Sequence, residues 1–260
     1  STATAVRGID GENFFGQVRL AFPDRVVVSR GPQLVADVHG VIVVGPEQQP
    51  HPEGLVDRVA EIARKLGWPV VTDGLSPLRN FGARVPHLVT TADTVLRNPR
   101  VAERLAPEFV LAVGGWPTSK VLRAWIEASN ARIFMVSDRA DNRDALHGRT
   151  QHCTGLAALA QLLPATTDPN GYQRLWASFE AKVRPALDAR LAAATELFEG
   201  KAAWMLARHL PAETPLFIAN SMPVRDVEYF WPPNDRQVRP LCNRGANGID
   251  GTLSTALGIA

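Results

Sequence analysis

Val41-Ile42-Val43-Val44, closed by Gly45-Pro46, decides the fold of this 260-residue chain. Four consecutive aliphatic residues ended by two breakers read as a short strand buried on both faces, as in a parallel sheet covered by helices. Downstream, Leu55, Val56, Val59, Ile62, Ala63 and Leu66 recur at helical spacing, and Gly67 stands where a left-handed cap belongs. Trp68-Pro69-Val70-Val71-Thr72, closed by Asp73-Gly74, reads as a second strand. Phe109-Val110-Leu111-Ala112-Val113, closed by Gly114-Gly115, reads as a third, and a helix follows over residues 119–129. Arg132-Ile133-Phe134-Met135-Val136 reads as a fourth. Strands alternating with helices imply parallel pairing through right-handed crossovers, so the fold class is α/β: an open, mostly parallel, Rossmann-like sheet.

The stretch Pro164-Ala165-Thr166-Thr167-Asp168-Pro169-Asn170-Gly171 concentrates breakers and small polar residues and marks a linker. A long helical pattern follows over residues 172–198, in which Pro185 predicts a break or bend. A second helix covers residues 200–210, and Leu216-Phe217-Ile218-Ala219 reads as a strand that delivers Asn220-Ser221 to its carboxyl end. The expected organisation is an extension or linker over residues 1–38, a central α/β domain over 39–165, and linker helices with the incomplete start of a second α/β domain over 166–260. In the first segment Val26-Val27-Val28 is a candidate strand. The chain opens on Ser1 without an initiator Met, and the expectation is a piece of a longer product.

Composition narrows the class. With 45% hydrophobic and 21% charged residues the chain can bury a sizeable core. The formal charge of +2, from 28 basic and 26 acidic residues, argues against nucleic-acid binding and against a membrane-surface binder. No apolar stretch approaches the ~18–20 residues that a bilayer requires. Two distant cysteines, Cys153 and Cys242, make neither a disulfide framework nor a zinc site and fit a reducing, cytoplasmic setting.

The strand–helix junctions invite nucleotide binding, but the residues argue otherwise. Gly45-Pro46-Glu47-Gln48-Gln49-Pro50 and Gly114-Gly115-Trp116-Pro117-Thr118-Ser119-Lys120 match neither the dinucleotide fingerprint nor the phosphate loop. Lys120 opens a helix just past a strand end, where open α/β sheets meet ligands. A solvated first-turn lysine would look the same. The six histidines are scattered and form no metal motif, so no metal ligand is assigned. There is no nucleophile elbow either.

The chemistry concentrates in the last forty residues. Asn220-Ser221-Met222-Pro223-Val224-Arg225-Asp226 follows a strand, and Cys242-Asn243-Arg244-Gly245-Ala246-Asn247-Gly248-Ile249-Asp250-Gly251 follows a short apolar stretch. The clustered glycines allow close backbone approach. Arg225 and Arg244, near strand ends, can each grip a carboxylate through two parallel hydrogen bonds.

These two motifs, the second continuing as Thr252-Leu253-Ser254-Thr255-Ala256, closely resemble the 2-succinyl-5-enolpyruvyl-6-hydroxy-3-cyclohexene-1-carboxylate (SEPHCHC) synthases of menaquinone and phylloquinone synthesis. The resemblance is strong over residues 216–260. It extends upstream more loosely through Gly114-Gly115-Trp116-Pro117-Thr118-Ser119-Lys120, through Gly67-Trp68-Pro69-Val70 with Asp73 and Ser76, and through the helix over 198–211. It implies a thiamine-diphosphate-dependent transferase, a carboligase that decarboxylates 2-oxoglutarate and adds the succinyl unit to isochorismate. It further implies a magnesium ion, a homodimer or homotetramer, and three domains per subunit.

By the same resemblance, Lys120, Arg225 and Arg244 bind substrate. Asn220, Ser221, Asn243, Gly245 and Ile249 contact the cofactor, with Ser221 and Ile249 counted as catalytic. Ile249 would prop the cofactor into its bent form. The glutamate that meets the pyrimidine ring and the Gly-Asp…Asn segment that binds magnesium have no match in this sequence. Two alternatives stay open: a piece of another thiamine-dependent carboligase or decarboxylase, and a non-catalytic α/β domain that takes up a small acidic ligand. The prediction is that these 260 residues alone bind thiamine diphosphate poorly and turn nothing over. Calorimetry checks it, and micromolar cofactor affinity for the isolated chain contradicts it.

Overall fold

A computed structural model describes residues 38–137, 146, 150–153, 155–163, 171–243 and 249–260. The candidate strand at Val26-Val27-Val28, most of the expected linker and the bend containing Arg244 and Gly245 lie outside the described residues.

Six parallel strands form the main sheet: β1 (Gly40–Val44), β2 (Val70–Thr72), β3 (Leu88–Val89), β4 (Phe109–Val113), β5 (Arg132–Val136) and β6 (Thr150–Cys153). Their order is β3-β2-β1-β4-β5-β6, the arrangement of a doubly wound nucleotide-binding sheet. The four strands read from sequence are all present and occupy the centre. The two that were not read, β3 and β6, are the edges. One is two residues long and the other reads Thr-Gln-His-Cys, so neither carries the aliphatic run that two-sided burial demands.

Strand alternation divides the core in two. Ile42 and Val44 point to one face, packing with Val56, Val59, Leu66 and Trp68, while Val41 and Val43 point to the other, packing with Leu122, Ile126 and Trp176. Helix α1 (Glu53–Leu66) covers the first face, and Gly67 ends it at φ 63, the left-handed conformation its position calls for. Short helices α2 (Ala92–Leu96) and α3 (Pro99–Arg104) and helix α4 (Lys120–Ala128) cover the second face, and α5 (Leu156–Leu162) returns to the first.

The long helix α6 (Gly171–Ala193) shows no break at Pro185 and ends earlier than the helical pattern, before residue 198. The missing Pro185 N–H frees the carbonyl of Ala181, one turn back, and Ala181 and Pro185 are both exposed, so water can satisfy that carbonyl. Tyr172 and Trp176 at its start are buried against the sheet.

The remaining chain forms α7 (Glu199–His209), β7 (Pro215–Phe217), α8 (Met222–Phe230), β8 (Arg239–Leu241) and α9 (Thr252–Ile259), with β7 and β8 paired in parallel. Their own core contains Ala207, Ile218, Val224, Val227, Trp231 and Val238, and Leu75 from the loop after β2 inserts into it. Among the described residues no helix is long and apolar enough to cross a membrane.

Arg79 joins the two units. Only 1% exposed, it donates from Nε and Nη2 to the carbonyl of Thr72 (3.2 and 2.6 Å) and from Nη1 to the carbonyls of Val227, Glu228 and Trp231 (3.3, 2.8 and 3.3 Å). Nη2 also reaches the Glu228 carboxylate at 3.1 Å. Removing it would take the donor from the Glu228 carbonyl and leave the buried Glu228 carboxyl with the Gly74 N–H alone. Arg79→Met is therefore expected to destabilise the chain by about 3 kcal/mol, read from denaturant midpoints. A loss within experimental error contradicts the role given to Arg79.

Candidate active site

The loop after β4 is built to present Lys120. Ser119 caps α4, its Oγ accepting from the Leu122 N–H at 3.0 Å and donating to the Asp93 carboxylate at 2.6 Å. Thr118, one residue earlier, donates its N–H to Asp73, whose other oxygen also accepts from the Leu75 N–H at 2.8 Å. Lys120 is thus the first exposed residue after a segment tied down at the end of β2 and on α2.

The second unit supplies the opposite wall. After β7 the Asn220 side chain is buried and donates to the carbonyl of Asn243 at 3.2 Å, tying together the residues that follow β7 and β8. Ser221 then takes φ 76, ψ −124, a conformation costly for a residue with a Cβ. This turn starts α8, a helix not anticipated in sequence, with Pro223 in its first turn. Ser221, Arg225 and Tyr229, four residues apart, line the cavity from that helix.

The two walls enclose a cavity of about 680 Å³ lined by Lys120, Asn220, Ser221 and Arg225, with Asp93, Arg97, Thr118, Arg123 and Tyr229 among the others. Four residues singled out in sequence thereby meet although about a hundred positions separate Lys120 from Asn220. Asn243 reaches the cavity only through Asn220, and it donates its own amide to Thr255 at 3.0 Å. Ile249 is 64% exposed and does not line the cavity. Arg244 and Gly245 lie outside the described residues.

Several residues here were not read from sequence. Arg97 lies one helical turn beyond Asp93 and donates from Nε to its carboxylate at 2.8 Å, while its guanidinium stands 5.5 Å from the centre of the Tyr229 ring. The Asp93/Arg97 spacing of four was the available signal. Gln48 lies in a loop that fails as a phosphate loop and carries no other signal in sequence. Its amide pairs in both directions with the backbone of Cys242 (2.9 and 2.9 Å), docking the second unit beside the end of β1.

The field inside is positive. Arg97, Lys120, Arg123 and Arg225 face one carboxylate, Asp93, which is already engaged by Arg97 and Ser119. The hydrogen bond that Arg97 donates to Asp93 raises the Arg97 pKa, and burial together with the Asp93 charge pushes the Tyr229 phenol up, so it remains a neutral donor. Such a cavity suits a ligand with more than one carboxylate.

Doubly wound sheets usually bind nucleotides where the strand order reverses, here between β1 and β4. That crevice is closed. The Gly115 N–H donates to the Pro46 carbonyl at 3.0 Å, and a Cβ on Gly45 would stand 1.6 Å from the Gly115 oxygen.

The fold and this placement define the class. The family model described as "Middle domain of thiamine pyrophosphate" matches residues 23–218, and the chain belongs to that family. Within it, the chain is similar to the 2-succinyl-5-enolpyruvyl-6-hydroxy-3-cyclohexene-1-carboxylate synthase of Trichormus variabilis, at 44% identity over 96% of the chain and 44% of the relative. It is likewise 49% identical to the synthase of that name from Synechococcus sp. strain JA-3-3Ab, over 85% of the chain and 37% of the relative. The chain thus spans less than half the length of these relatives. A solved protein from Mycobacterium smegmatis, which its name assigns to the thiamin diphosphate-dependent enzymes, superposes with a TM-score of 0.54 at 19% identity, over 87% of the chain and 42% of that protein, a likeness of fold alone.

Glu228 gives the site a pH signature. It lies on the helix that carries Arg225, and burial pushes its carboxyl up to about 8 against the opposing pull of Arg79 and the Gly74 N–H. A raised carboxyl favours the folded state when protonated. Its contribution is therefore complete below about 4.5, the ordinary value, and is lost as pH rises through about 8. Urea midpoints of the wild type should fall across that window relative to Glu228→Gln, which does not titrate. Parallel profiles for the two proteins contradict the assignment.

Proposed function

We propose that this chain is part of a thiamine-diphosphate-dependent SEPHCHC synthase, comprising its central domain and the opening of its cofactor domain. The reaction releases carbon dioxide from 2-oxoglutarate and transfers the remaining succinyl unit to isochorismate. The observation that carries this reading is the convergence of Lys120, Ser221 and Arg225 from two units on one cation-rich cavity. Both substrates are dicarboxylates, and fixed cations can hold them while charge develops at the reacting carbon.

The described residues fit the cofactor. Residues 220–221 and 243 follow two parallel strands, and Ile249 offers an exposed apolar side chain of the kind that could prop a bent cofactor. Thiamine diphosphate, when bound, supplies the carbanion chemistry that protein side chains lack. In this reading Asn220, Ser221, Asn243, Gly245 and Ile249 orient it, while Lys120, Arg97, Arg225 and Arg244 hold carboxylates. Tyr229, kept neutral, can donate a hydrogen bond. Magnesium would accompany the diphosphate, and no described residue is assigned to it.

The domain reading accompanies this proposal: a central domain over residues 39–165 and the beginning of the cofactor domain after it. Assembly as a homodimer or homotetramer in the cytoplasm belongs to the same reading.

The test uses the full-length gene product with thiamine diphosphate, magnesium, 2-oxoglutarate and isochorismate, following product by mass spectrometry. Product should form, and Arg225→Ala should lower kcat/KM by roughly 10- to 100-fold, the loss of one charge-assisted pair. Equal turnover of pyruvate, which lacks the distal carboxylate, would redirect the reading to another carboligase. No turnover of either acid would remove it.

A further inference from the structure

Both walls of the cation-rich cavity are mounted on one turn, residues 72–74, where β2 ends. The Asp73 N–H donates to the Val44 carbonyl at 2.9 Å, which seats the turn on β1. The Thr72 carbonyl accepts from Arg79, which in turn donates to the Glu228 carbonyl on α8 at 2.8 Å. The Gly74 N–H donates to the Glu228 carboxylate on the same helix. The approach is so close that a Cβ on Gly74 would stand 2.7 Å from the Glu228 nitrogen. Between these residues the Asp73 side chain reaches the opposite wall and accepts from the Thr118 N–H, just ahead of Lys120. We propose that Asp73 is a positioning residue that sets where Lys120 stands relative to Arg225 across the cavity. The proposal rests on the synthase reading above.

The argument begins with the choice of a carboxylate. Asp73 is 1% exposed and forms no ion pair among the described residues. Its charge also lies close enough to Glu228 to help push that carboxyl up. Burying a charge without a counter-ion costs stability that a neutral side chain would not. Asparagine would fill the same space without that cost, but only one of its two polar atoms accepts a hydrogen bond. Here both oxygens accept, Oδ2 from the Thr118 N–H and Oδ1 from the Leu75 N–H at 2.8 Å. The Leu75 bond shapes the turn that sends Leu75 into the core of the second unit, and the Thr118 bond ties the Lys120 loop to that turn. A carboxylate does both at once.

Placement matters at this cavity because its cations are not gripped by packing. Lys120 and Arg225 are both exposed, so their backbone mounts decide where the charges stand. Lys120 opens α4, and a shift of that first turn carries the ammonium with it. A misplacement of about 1 Å can cost roughly 100-fold in rate. Ser119 supplies a second tie, through Asp93, so losing the Asp73 bond loosens the loop without freeing it. The expected effect is therefore smaller than that limit.

The test is a double-mutant cycle in the full-length gene product, assayed with thiamine diphosphate, magnesium, 2-oxoglutarate and isochorismate. Asp73→Asn alone should lower kcat/KM by about 10-fold. In a Lys120→Met background the same change should alter kcat/KM by less than about 2-fold, because the group it positions is gone. A residue needed only for folding would lower kcat/KM by the same factor in both backgrounds, and that result overturns the proposal. An active wild type with an equally active Asp73→Asn overturns it too. If Asp73→Asn does not fold, Asp73→Ser, smaller and likewise uncharged, takes its place in the cycle. On the 260-residue chain the Thr118 amide should lose protection from hydrogen exchange in Asp73→Asn, a readout that needs no reaction, and unchanged protection also counts against the proposal. Absence of product from the wild type is a separate failure: it removes the synthase reading, and this role for Asp73 with it.

Discussion

The Arg79 guanidinium sets the geometry on which the rest depends. It bonds the carbonyl of Thr72 at the end of β2 and the last-turn carbonyls of α8, so one buried side chain fixes a helix of the second unit against the sheet of the first. Ser221 and Arg225 sit at the other end of that short helix, and their aim follows from where its carboxyl end is held. Neighbouring bonds keep the same register: Trp231 Nε1 to Asn80 Oδ1 at 2.9 Å, and the Gly82 N–H to the Asn234 carbonyl at 2.9 Å. The joint is polar and directional, and directional bonds specify one relative placement where an apolar contact would tolerate several.

The sheet has the strand order of a nucleotide-binding domain, yet its cation-rich cavity lies elsewhere. Pro46 and Gly115 close the crevice at the point of strand reversal, and the positive cavity forms instead between the Lys120 loop and α8. The same two aspartates that shape this loop also serve the fold. Asp73 ties Thr118 to the end of β2, and Asp93 ties Ser119 and Arg97 to α2. Fold and cavity are thus supported by shared hydrogen bonds, although topology alone would have pointed to the crevice at the strand reversal.

The central strands, the cap at Gly67 and the helix beginning at Ser119 were legible in the amino-acid order, because burial on two faces and helix capping are encoded within a few neighbouring residues. Lys120, Asn220, Ser221 and Arg225 were legible too, but through the wording of motifs and not through any local physics that would have distinguished them from solvated residues. Edge strands β3 and β6 were not, since half-exposed strands lack a continuous apolar signal. Pro185 causes no break, because a proline's cost depends on whether the carbonyl it frees can reach water, and that depends on which face of α6 is exposed.

By itself, then, the sequence determined the alternating α/β plan and the chemical types available at the strand ends. Only the tertiary structure decided that Arg97 and Tyr229 join Lys120 across a shared cavity, that Gln48 pins Cys242, and that Arg79 and Glu228 meet in the interior. The reason is range. Periodicity and capping act within a turn or two of chain, whereas a cavity or a buried polar contact is made by residues brought together through the packing of whole elements, and no short window of sequence contains both partners.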